Sequence, residues 1–216
     1  MPVSTPIFKK ETIDYIKNRF HPQTRILDVG AGSGIYSQLL RDTFPNMDAI
    51  EAFEPYVSTY QLTSKYNNVF VGDILDFSKE RLDNYDLFIL GDVLEHIDEV
   101  AAKKLIATLF QMNKEVIIAV PFNAVQESVN NNDYERHLQP KLTFERFIVS
   151  YKQTTPLCVR YDYGVFVNEK TAEFYPIFYD TINQELLEKL KKAYRNRALV
   201  DINEVIESLN PIDIFS

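Results

Sequence analysis

Short apolar runs alternate with segments of helical period along most of the chain. The apolar runs are nearly continuous, which is typical of strands that are buried on both faces of a parallel sheet. Helical segments between such strands cover the two faces. The pattern therefore predicts an α/β fold built on an open, mostly parallel sheet, with candidate strands at residues 25–30, 47–53, 68–72, 86–91 and 115–120.

The segments between these strands carry apolar residues at helical spacing. In the longest of them, Val100, Leu105, Leu109 and Met112 lie along roughly one face. Ahead of the first strand, the apolar residues of ETIDYIKNRF recur at the same spacing and predict an N-terminal helix that packs against the sheet. The other predicted helices are at residues 33–43, 56–65, 78–83, 98–112 and 142–150.

The chain changes in character beyond Pro121. A polar loop, QESVNNNDYERH, leads to a helix and then to an apparent hairpin near residues 156–168, and the part from about residue 180 is helical and charged. No repeat, low-complexity tract or Pro/Gly-rich linker divides the sequence. We therefore expect one domain with decorated ends: an N-terminal helical extension at 1–24, a core at 25–170 and a C-terminal helical extension packed on the same domain at 171–216.

Composition narrows the function classes. The 216 residues, 45% of them apolar, are enough to bury a substantial core. The net charge of −8 disfavours a surface that holds nucleic acid through phosphate contacts. No apolar stretch is long enough to cross a membrane, and the start lacks the apolar centre of a signal peptide. Together with the single cysteine, Cys158, to which we assign no chemical role, this predicts a cytoplasmic protein without membrane partners.

The string DVGAGSG follows the first candidate strand and contains Asp28, Gly30, Gly32 and Gly34. Glycines allow the chain to turn sharply from strand into helix and expose its backbone to a ligand. A nicotinamide dinucleotide site requires its third glycine at position 35, which is occupied by Ile35. The string therefore indicates a ligand held against the backbone and disfavours a nicotinamide dinucleotide.

With its later motifs in order, the sequence resembles class I S-adenosylmethionine-dependent methyltransferases over about half of its length. Glu54 and Pro55 follow the second strand in EAFEPYV, Asp73 follows the third in VGDILDF, and LFILGDVLEHIDE spans the fourth. The resemblance implies a Rossmann-like fold with a seven-stranded, mostly parallel sheet, helices on both faces and an antiparallel final strand. It also implies that S-adenosylmethionine is the cofactor.

The cofactor-binding residues implied by this resemblance are Asp28, Gly30, Ala31, Gly32, Gly34, Glu54, Pro55, Asp73, Ile74, Gly91 and Asp92. In the family, the acid at the position of Glu54 accepts hydrogen bonds from both ribose hydroxyls, and the one at Asp73 receives the adenine amino group. Alternatives remain for each acid. Glu51 is a rival to Glu54, although strand alternation places it within the strand, and Asp73 is also suited to cap a short helix. Asp28 can brace the loop through main-chain hydrogen bonds.

Two of the three histidines follow strands whose ends border the cofactor crevice. A neutral histidine suits the deprotonation of an oxygen nucleophile. His137, in DYERHLQP, is the preferred catalytic base, and His96, in DVLEH, is the second catalytic candidate, whereas His21 precedes the core. Glu95, Glu135 and Arg136 are plausible orienting or substrate-binding neighbours.

The histidines and their neighbours also suggest another chemistry. Asp92, Glu95, His96 and His137 together form a ligand set acceptable to a divalent ion. Similar acid, acid, His patterns occur in metal-assisted 2′-O-methyltransferases of small RNAs and in ubiquinone-pathway O-methyltransferases, but the first acid there is usually glutamate. From the sequence we assign no metal.

The resemblance implies methyl transfer to a small-molecule acceptor, for which we expect a hydroxyl of a sugar or related metabolite. The loop from Asn123 to Gln139 resembles those near the acceptor in methyltransferases of sugars and related metabolites. The aromatic residues of the second half either line a pocket for a ring or sugar or simply pack the core. Two alternatives remain: N-methylation of a small molecule or protein, and a catalytically silent domain that binds the cofactor or a partner. The sequence does not determine the oligomeric state.

Overall fold

The computed structural model describes residues 6–129, 131–168, 177–178, 188 and 192. Its centre is a single sheet in the order β3-β2-β1-β4-β5-β7-β6-β8. The strands are β1 (Ile26–Val29), β2 (Met47–Glu51), β3 (Val69–Val71), β4 (Leu87–Gly91), β5 (Glu115–Pro121), β6 (Thr155–Arg160), β7 (Tyr163–Val167) and β8 (Ile177–Phe178).

The first five strands pair in parallel. β7 runs antiparallel to both β5 and β6, so the predicted hairpin is present and its second strand is the reversed one. The predicted seven-stranded, mostly parallel sheet is confirmed. The short β8 pairs in parallel with β6 and adds an edge strand that the sequence did not predict.

Seven α-helices lie in the described residues. They are α1 (Lys9–Arg19), α2 (Ile35–Leu40), α3 (Glu54–Thr59), α4 (Leu62–Lys65), α5 (Lys79–Leu82), α6 (Glu99–Gln111) and α7 (Phe144–Ser150). Short 3-10 turns follow three of the strands, at Ile74–Asp76, Leu94–His96 and Asp133–Glu135.

The two faces of the sheet each carry a separate core, because successive strand residues point to opposite sides. In β4, Leu87 and Ile89 pack with the apolar residues of α1, α2 and α4. Phe88 and Leu90 face the other side and pack with those of α5, α6 and α7. Helices therefore cover both faces, as the continuous apolar strands predict.

The single helix predicted over residues 56–65 is wrong. The chain forms α3 and α4 instead, separated at Gln61, whose φ of 52° is left-handed. The segment is rich in β-branched and aromatic residues, which lose side-chain freedom in a helix and lower its propensity. The weak intrinsic preference lets the chain turn between the two short helices.

The proposed division of the chain is only partly visible. α1 lies inside the predicted N-terminal extension, and its Ile16 is completely buried. Apart from β8 and single positions, the predicted C-terminal extension at 171–216 lies outside the described residues. Among the residues described, no helix combines the length and the apolar character needed to cross a membrane.

Replacement of Phe166 tests the packing of the hairpin on the sheet. Its buried ring stacks on Phe147 with centroids 3.9 Å apart. Phe166→Ala removes this contact and leaves a cavity, so we expect the free energy of unfolding to fall by about 3–5 kcal/mol in urea titrations. Val100→Ala, at a side chain that is 76% exposed, is the control and should change it by less than about 0.5 kcal/mol. Equal losses in the two variants would contradict the described core.

Candidate active site

The predicted site residues lie at the carboxyl ends of the parallel strands, where ligands bind in open α/β sheets. The glycine loop follows β1, Glu54 and Pro55 open α3 after β2, and Asp73 and Ile74 follow β3. Gly91 ends β4 and Asp92 comes next. The histidines follow the next strand ends, His96 after β4 and His137 after β5.

The glycine loop turns between β1 and α2 through three left-handed glycines. A side chain at Gly34 would place its Cβ 2.8 Å from Lys65 Cδ, so α2 and α4 could not approach as closely. At Gly32 the nearest atom would be the carbonyl oxygen of Gly30, 3.8 Å away. Ala31, which lies between Gly30 and Gly32, is buried in the core. The backbone at Gly32 therefore borders open space, as a ligand cradle requires.

Glu51 ties this loop to the end of β2. Its Oε2 accepts the N–H of Gly32 at 2.9 Å and its Oε1 accepts the N–H of Phe53 at 3.1 Å. The side chain is buried, and burial raises its pKa. Sequence reasoning set Glu51 aside because it lies within the strand. Strand alternation does not show that the carboxylate reaches the neighbouring loop.

Glu54 and Asp73 have different surroundings. Glu54 is exposed at the start of α3 and makes no hydrogen bond or ion pair with the described residues. Asp73 is partly buried, and its Oδ1 accepts the N–H of Leu75 at 2.9 Å, which caps the 3-10 turn after β3. The capping role that the sequence left open for Asp73 is therefore present, and it occupies one of the two carboxylate oxygens.

A group of buried polar residues lies beneath the loop. Asp28 is 2% exposed and accepts a hydrogen bond from the hydroxyl of Tyr66. Lys9 Nζ donates to the hydroxyl of Tyr36 at 2.9 Å, and its ammonium interacts with the charges of Asp28, Asp92 and Glu95. Asp28 is thus held by the side chain of Tyr66, and its bracing of the loop through main-chain hydrogen bonds, the alternative that the sequence allowed, stays a prediction.

The end of β4 is fitted closely to its neighbours. A Cβ on Gly91 would lie 2.6 Å from the ring of Tyr36, so a larger residue cannot be placed there without a shift. Asp92 has a left-handed φ of 58°, and its Oδ1 accepts the hydroxyl of Tyr163 at 2.5 Å. The carboxylate of Asp92 is thereby joined to β7.

The two candidate catalytic histidines are in contact. Their rings meet edge to face, with centroids 4.8 Å apart. His96 Nδ1 is 3.1 Å from the carbonyl oxygen of Arg136, and His137 Nδ1 is 2.9 Å from that of Ala124. A carbonyl only accepts, so each Nδ1 carries the proton in the neutral ring and each Nε2 keeps a free lone pair. Burial lowers the pKa of His96, which favours this neutral form.

Hydrogen bonds between two distant loops bring the histidines together. The carbonyl oxygen of Glu95 accepts the N–H groups of Leu138 at 2.8 Å and Gln139 at 3.2 Å. The buried amide of Gln139 donates to the carbonyls of Leu94 and Ile97, both at 2.9 Å. The loop after β5 is thus fixed to the 3-10 turn after β4. Sequence reasoning missed Gln139, because nothing local marks a glutamine that bonds more than 40 residues away.

Glu95 completes the cluster. Its side chain is 2% exposed, and its Oε1 lies 3.9 Å from His96 Nε2. Within the described residues its Oε2 has no hydrogen-bond partner. Burial, and then the nearby Asp92 carboxylate, raise the pKa of Glu95. Of the four residues that the sequence grouped as a ligand set, Glu95, His96 and His137 converge, with ligand atoms all within 4.8 Å of one another.

The profile of the methyltransferase domain family matches residues 8–146, more than half of the chain. The chain belongs to this methyltransferase family. It is an S-adenosylmethionine-dependent methyltransferase, and the enzyme and cofactor expected from the sequence motifs are confirmed. No curated protein matches the sequence.

Solved methyltransferase structures share the fold at low sequence identity. A protein from Pyrococcus horikoshii OT3 matches with a TM-score of 0.55 and 16% identity, over 76% of this chain and 88% of that one. An S-adenosylmethionine-dependent methyltransferase from Clostridium acetobutylicum ATCC 824 matches with a TM-score of 0.54 and 14% identity, over 75% and 92%. A putative O-methyltransferase from Nostoc punctiforme PCC 73102 matches with a TM-score of 0.50 and 14% identity, over 75% and 56%. The methyltransferase spans about half the length of some proteins it matches.

The buried Asp28 gives the methyltransferase a testable pH dependence. Burial raises the pKa of Asp28 from 3.8 to about 7, against the lowering effects of the Tyr66 hydrogen bond and the Lys9 charge and with a smaller raising effect of Glu51. The folded state therefore holds this proton more tightly than the unfolded state, so Asp28 makes stability fall as pH rises from about 4 to 7, by at most about 1.4 kcal/mol per unit. Asp28→Asn should flatten that part of the profile in urea titrations.

Tyr66→Phe is the companion variant. It removes a hydrogen bond that lowers the pKa of Asp28, so the decline in stability should extend to higher pH. If Asp28→Asn leaves the slope of the wild type unchanged, the assignment of the titration to this buried carboxyl is wrong.

Proposed function

We propose that this methyltransferase transfers a methyl group to a hydroxyl of a small metabolite or sugar, with His137 as the base that accepts the hydroxyl proton. The observation that carries the proposal is the orientation of the histidine: Nδ1 is held by the carbonyl of Ala124, so Nε2 is the free nitrogen. A nitrogen acceptor needs no base of this kind, so the fixed tautomer favours an oxygen acceptor.

Charge interactions link the surroundings of the histidine pair to those of the glycine loop. Glu135, two residues before His137, is near enough to Glu51 for its charge to raise the pKa of that carboxyl, and Glu51 in turn holds Gly32. The charge of the Lys9 ammonium interacts with both parts of the site. It interacts with Asp28 at the glycine loop and with Glu95 beside His96. These interactions support the proposal of a single space that is bordered by cofactor-binding and catalytic residues.

S-adenosylmethionine supplies a methyl group that is already activated on a sulfonium sulfur. The protein must therefore position the acceptor, exclude water and receive a proton. As the acceptor oxygen forms its bond to the methyl carbon, its proton passes to Nε2 of His137, and the carbon–sulfur bond breaks with its electron pair left on sulfur. The carbonyl of Ala124 stabilises the resulting imidazolium, since Nδ1 already donates to it.

Within this proposal the open backbone at Gly32 receives the cofactor, Glu54 accepts the ribose hydroxyls and Asp73 receives the adenine amino group. Glu54 is favoured over Glu51 because both oxygens of Glu51 already accept backbone N–H groups. One oxygen of Asp73 is used by the 3-10 turn, which leaves the other for a ligand.

We also propose that the acceptor is a free small molecule and that the enzyme works in the cytoplasm. The net charge of −8 disfavours a nucleic-acid substrate. The polar loop that carries His137 exposes Tyr134 and Leu138, which offers aromatic and apolar surface beside the histidine pair for the non-reacting part of an acceptor.

The assignment of Glu54 to the ribose is tested by removing the carboxylate of Glu54 and the 2′-hydroxyl of the ligand separately. Hydrogen bonds to a charged group contribute about 1.5–3 kcal/mol, so Glu54→Gln should weaken binding of S-adenosylhomocysteine by roughly 10–100-fold in calorimetry. The 2′-deoxy analogue, which keeps only the 3′-hydroxyl, should bind the wild type more weakly and lose less affinity in Glu54→Gln than S-adenosylhomocysteine does.

Glu51→Gln is the matched control for this cycle. Its effect should be the same for S-adenosylhomocysteine and for the 2′-deoxy analogue, because Glu51 is expected to hold the loop and not the ribose. The opposite result would be that Glu51→Gln weakens the two ligands by different factors and Glu54→Gln weakens them by the same factor. Glu51, and not Glu54, would then bind the ribose.

The catalytic role of His137 is tested by its truncation. With a panel of sugars and hydroxylated metabolites, His137→Ala should lower the release of S-adenosylhomocysteine by about 10²–10⁴-fold, the usual contribution of a base. Binding of S-adenosylhomocysteine should stay normal. His21→Ala, an exposed histidine before β1, should behave as the wild type. Full turnover in His137→Ala would end the base hypothesis.

A further inference from the structure

The side chain of Glu95 has one unpaired polar atom inside the protein. The side chain is 2% exposed, yet no described residue donates a hydrogen bond to its Oε2. A buried polar atom without a partner is costly, so its position favours a ligand that can reach it.

Each of the two neighbouring imidazoles keeps one free lone pair. His96 and His137 each donate Nδ1–H to a backbone carbonyl, which fixes the ring and leaves Nε2 as the only available ligand atom. Metal-binding histidines in proteins are oriented in this way, since the second hydrogen bond sets the tautomer and increases the basicity of the ligating nitrogen. Neither carbonyl belongs to a side chain, so the orientation is built into the fold.

The spacing of these atoms is close to that of a coordination shell. Bonds of about 2.0–2.2 Å place opposite ligand atoms about 4.4 Å apart and adjacent ones closer. The ligand atoms of Glu95, His96 and His137 all lie within 4.8 Å of one another, and the Glu95 Oε1 and His96 Nε2 atoms are 3.9 Å apart. A small rotation of the side chains therefore suffices to bring the three onto one ion.

We propose that Glu95, His96 and His137 bind one divalent transition-metal ion. Two imidazoles and one carboxylate suit Zn²⁺, Mn²⁺ or Co²⁺ better than Mg²⁺ or Ca²⁺, which prefer oxygen ligands throughout. Asp92, the fourth residue of the set considered from the sequence, is directed instead to Tyr163. Three protein ligands leave coordination positions open for an oxygen of the acceptor.

The metal site adds detail to the proposed function. The role of the ion in the reaction rests on that function, whereas the binding of the ion does not. With an ion bound, His137 Nε2 is a ligand, and the ion lowers the pKa of the acceptor hydroxyl so that its proton passes to solvent. Without an ion, the same nitrogen is the base described above. In both states the same cluster promotes the loss of the hydroxyl proton, in one through the bound ion and in the other through His137 Nε2.

Metal binding is tested on the full chain without cofactor or acceptor. Protein stripped with a chelator is titrated with Mn²⁺ and Zn²⁺ by calorimetry, and with Co²⁺ by its visible absorption. We expect one equivalent to bind. Glu95→Gln and His137→Ala should each weaken binding by at least about tenfold, whereas the matched control His21→Ala should not change it. Glu95→Gln keeps the size of the side chain, and binding of S-adenosylhomocysteine verifies that the variants are folded.

Three results would overturn the site: none of the three ions binds the wild type, the cluster variants keep wild-type affinity, or His21→Ala weakens binding as much as they do. Turnover separates this proposal from the first one. Full activity of the stripped protein in the presence of chelator would reject a catalytic ion and leave His137 as the base. Activity restored by an ion and abolished by Glu95→Gln would support the ion. Methylation of nitrogen acceptors alone would contradict the proposed function without affecting the binding result.

Discussion

The proposed active site depends on the attachment of one long loop to a single 3-10 turn. The carbonyl of Glu95 accepts two backbone N–H groups from Leu138 and Gln139, and the amide of Gln139 bridges the carbonyls of Leu94 and Ile97. These bonds close a segment that starts at the end of β5, and they set the position of His137 against His96. Because the donors and acceptors are buried, breaking one of them leaves an unpaired polar group, which costs about 1–3 kcal/mol. The position of the cluster is therefore set by backbone bonds and by the Gln139 side chain, and not by the histidines themselves.

A second constraint is the distribution of buried charge below the cofactor loop. Asp28, Asp92 and Glu95 come from the ends of β1 and β4, and the ammonium of Lys9 in α1 interacts with the charges of all three. The N-terminal helix thus contributes electrostatically to a site that is otherwise built from the sheet. Tyr66 and Tyr163 provide hydroxyl donors to Asp28 and Asp92. Glu95 receives no such donor at Oε2 among the described residues, and this makes it the natural position for a cation.

Much of the fold could be predicted from sequence, because strand and helix periodicity are local. The five parallel strands, the hairpin, α1 and α6 all follow from apolar spacing within short windows. The division of 56–65 into two helices could not be predicted, since it depends on a left-handed Gln61 and not on the apolar pattern. The same distinction applies to the site. Motif spacing predicted the glycine loop, Glu54, Asp73 and the two histidines as site residues, and the structure places them after strand ends. The contacts of Glu51, Lys9 and Gln139 instead connect residues that are distant in sequence. Their partners become visible only when the strands are assembled.

The central claim is that the glycine loop and the histidine pair border one space, in which cofactor and acceptor meet. A crystal structure of the full chain with S-adenosylhomocysteine tests it most directly. The account predicts that the adenosyl group lies along the backbone at Gly32 and that the sulfur faces the gap in front of His96 and His137. A sulfur directed away from the two imidazoles, or separated from them by packed side chains, would contradict it.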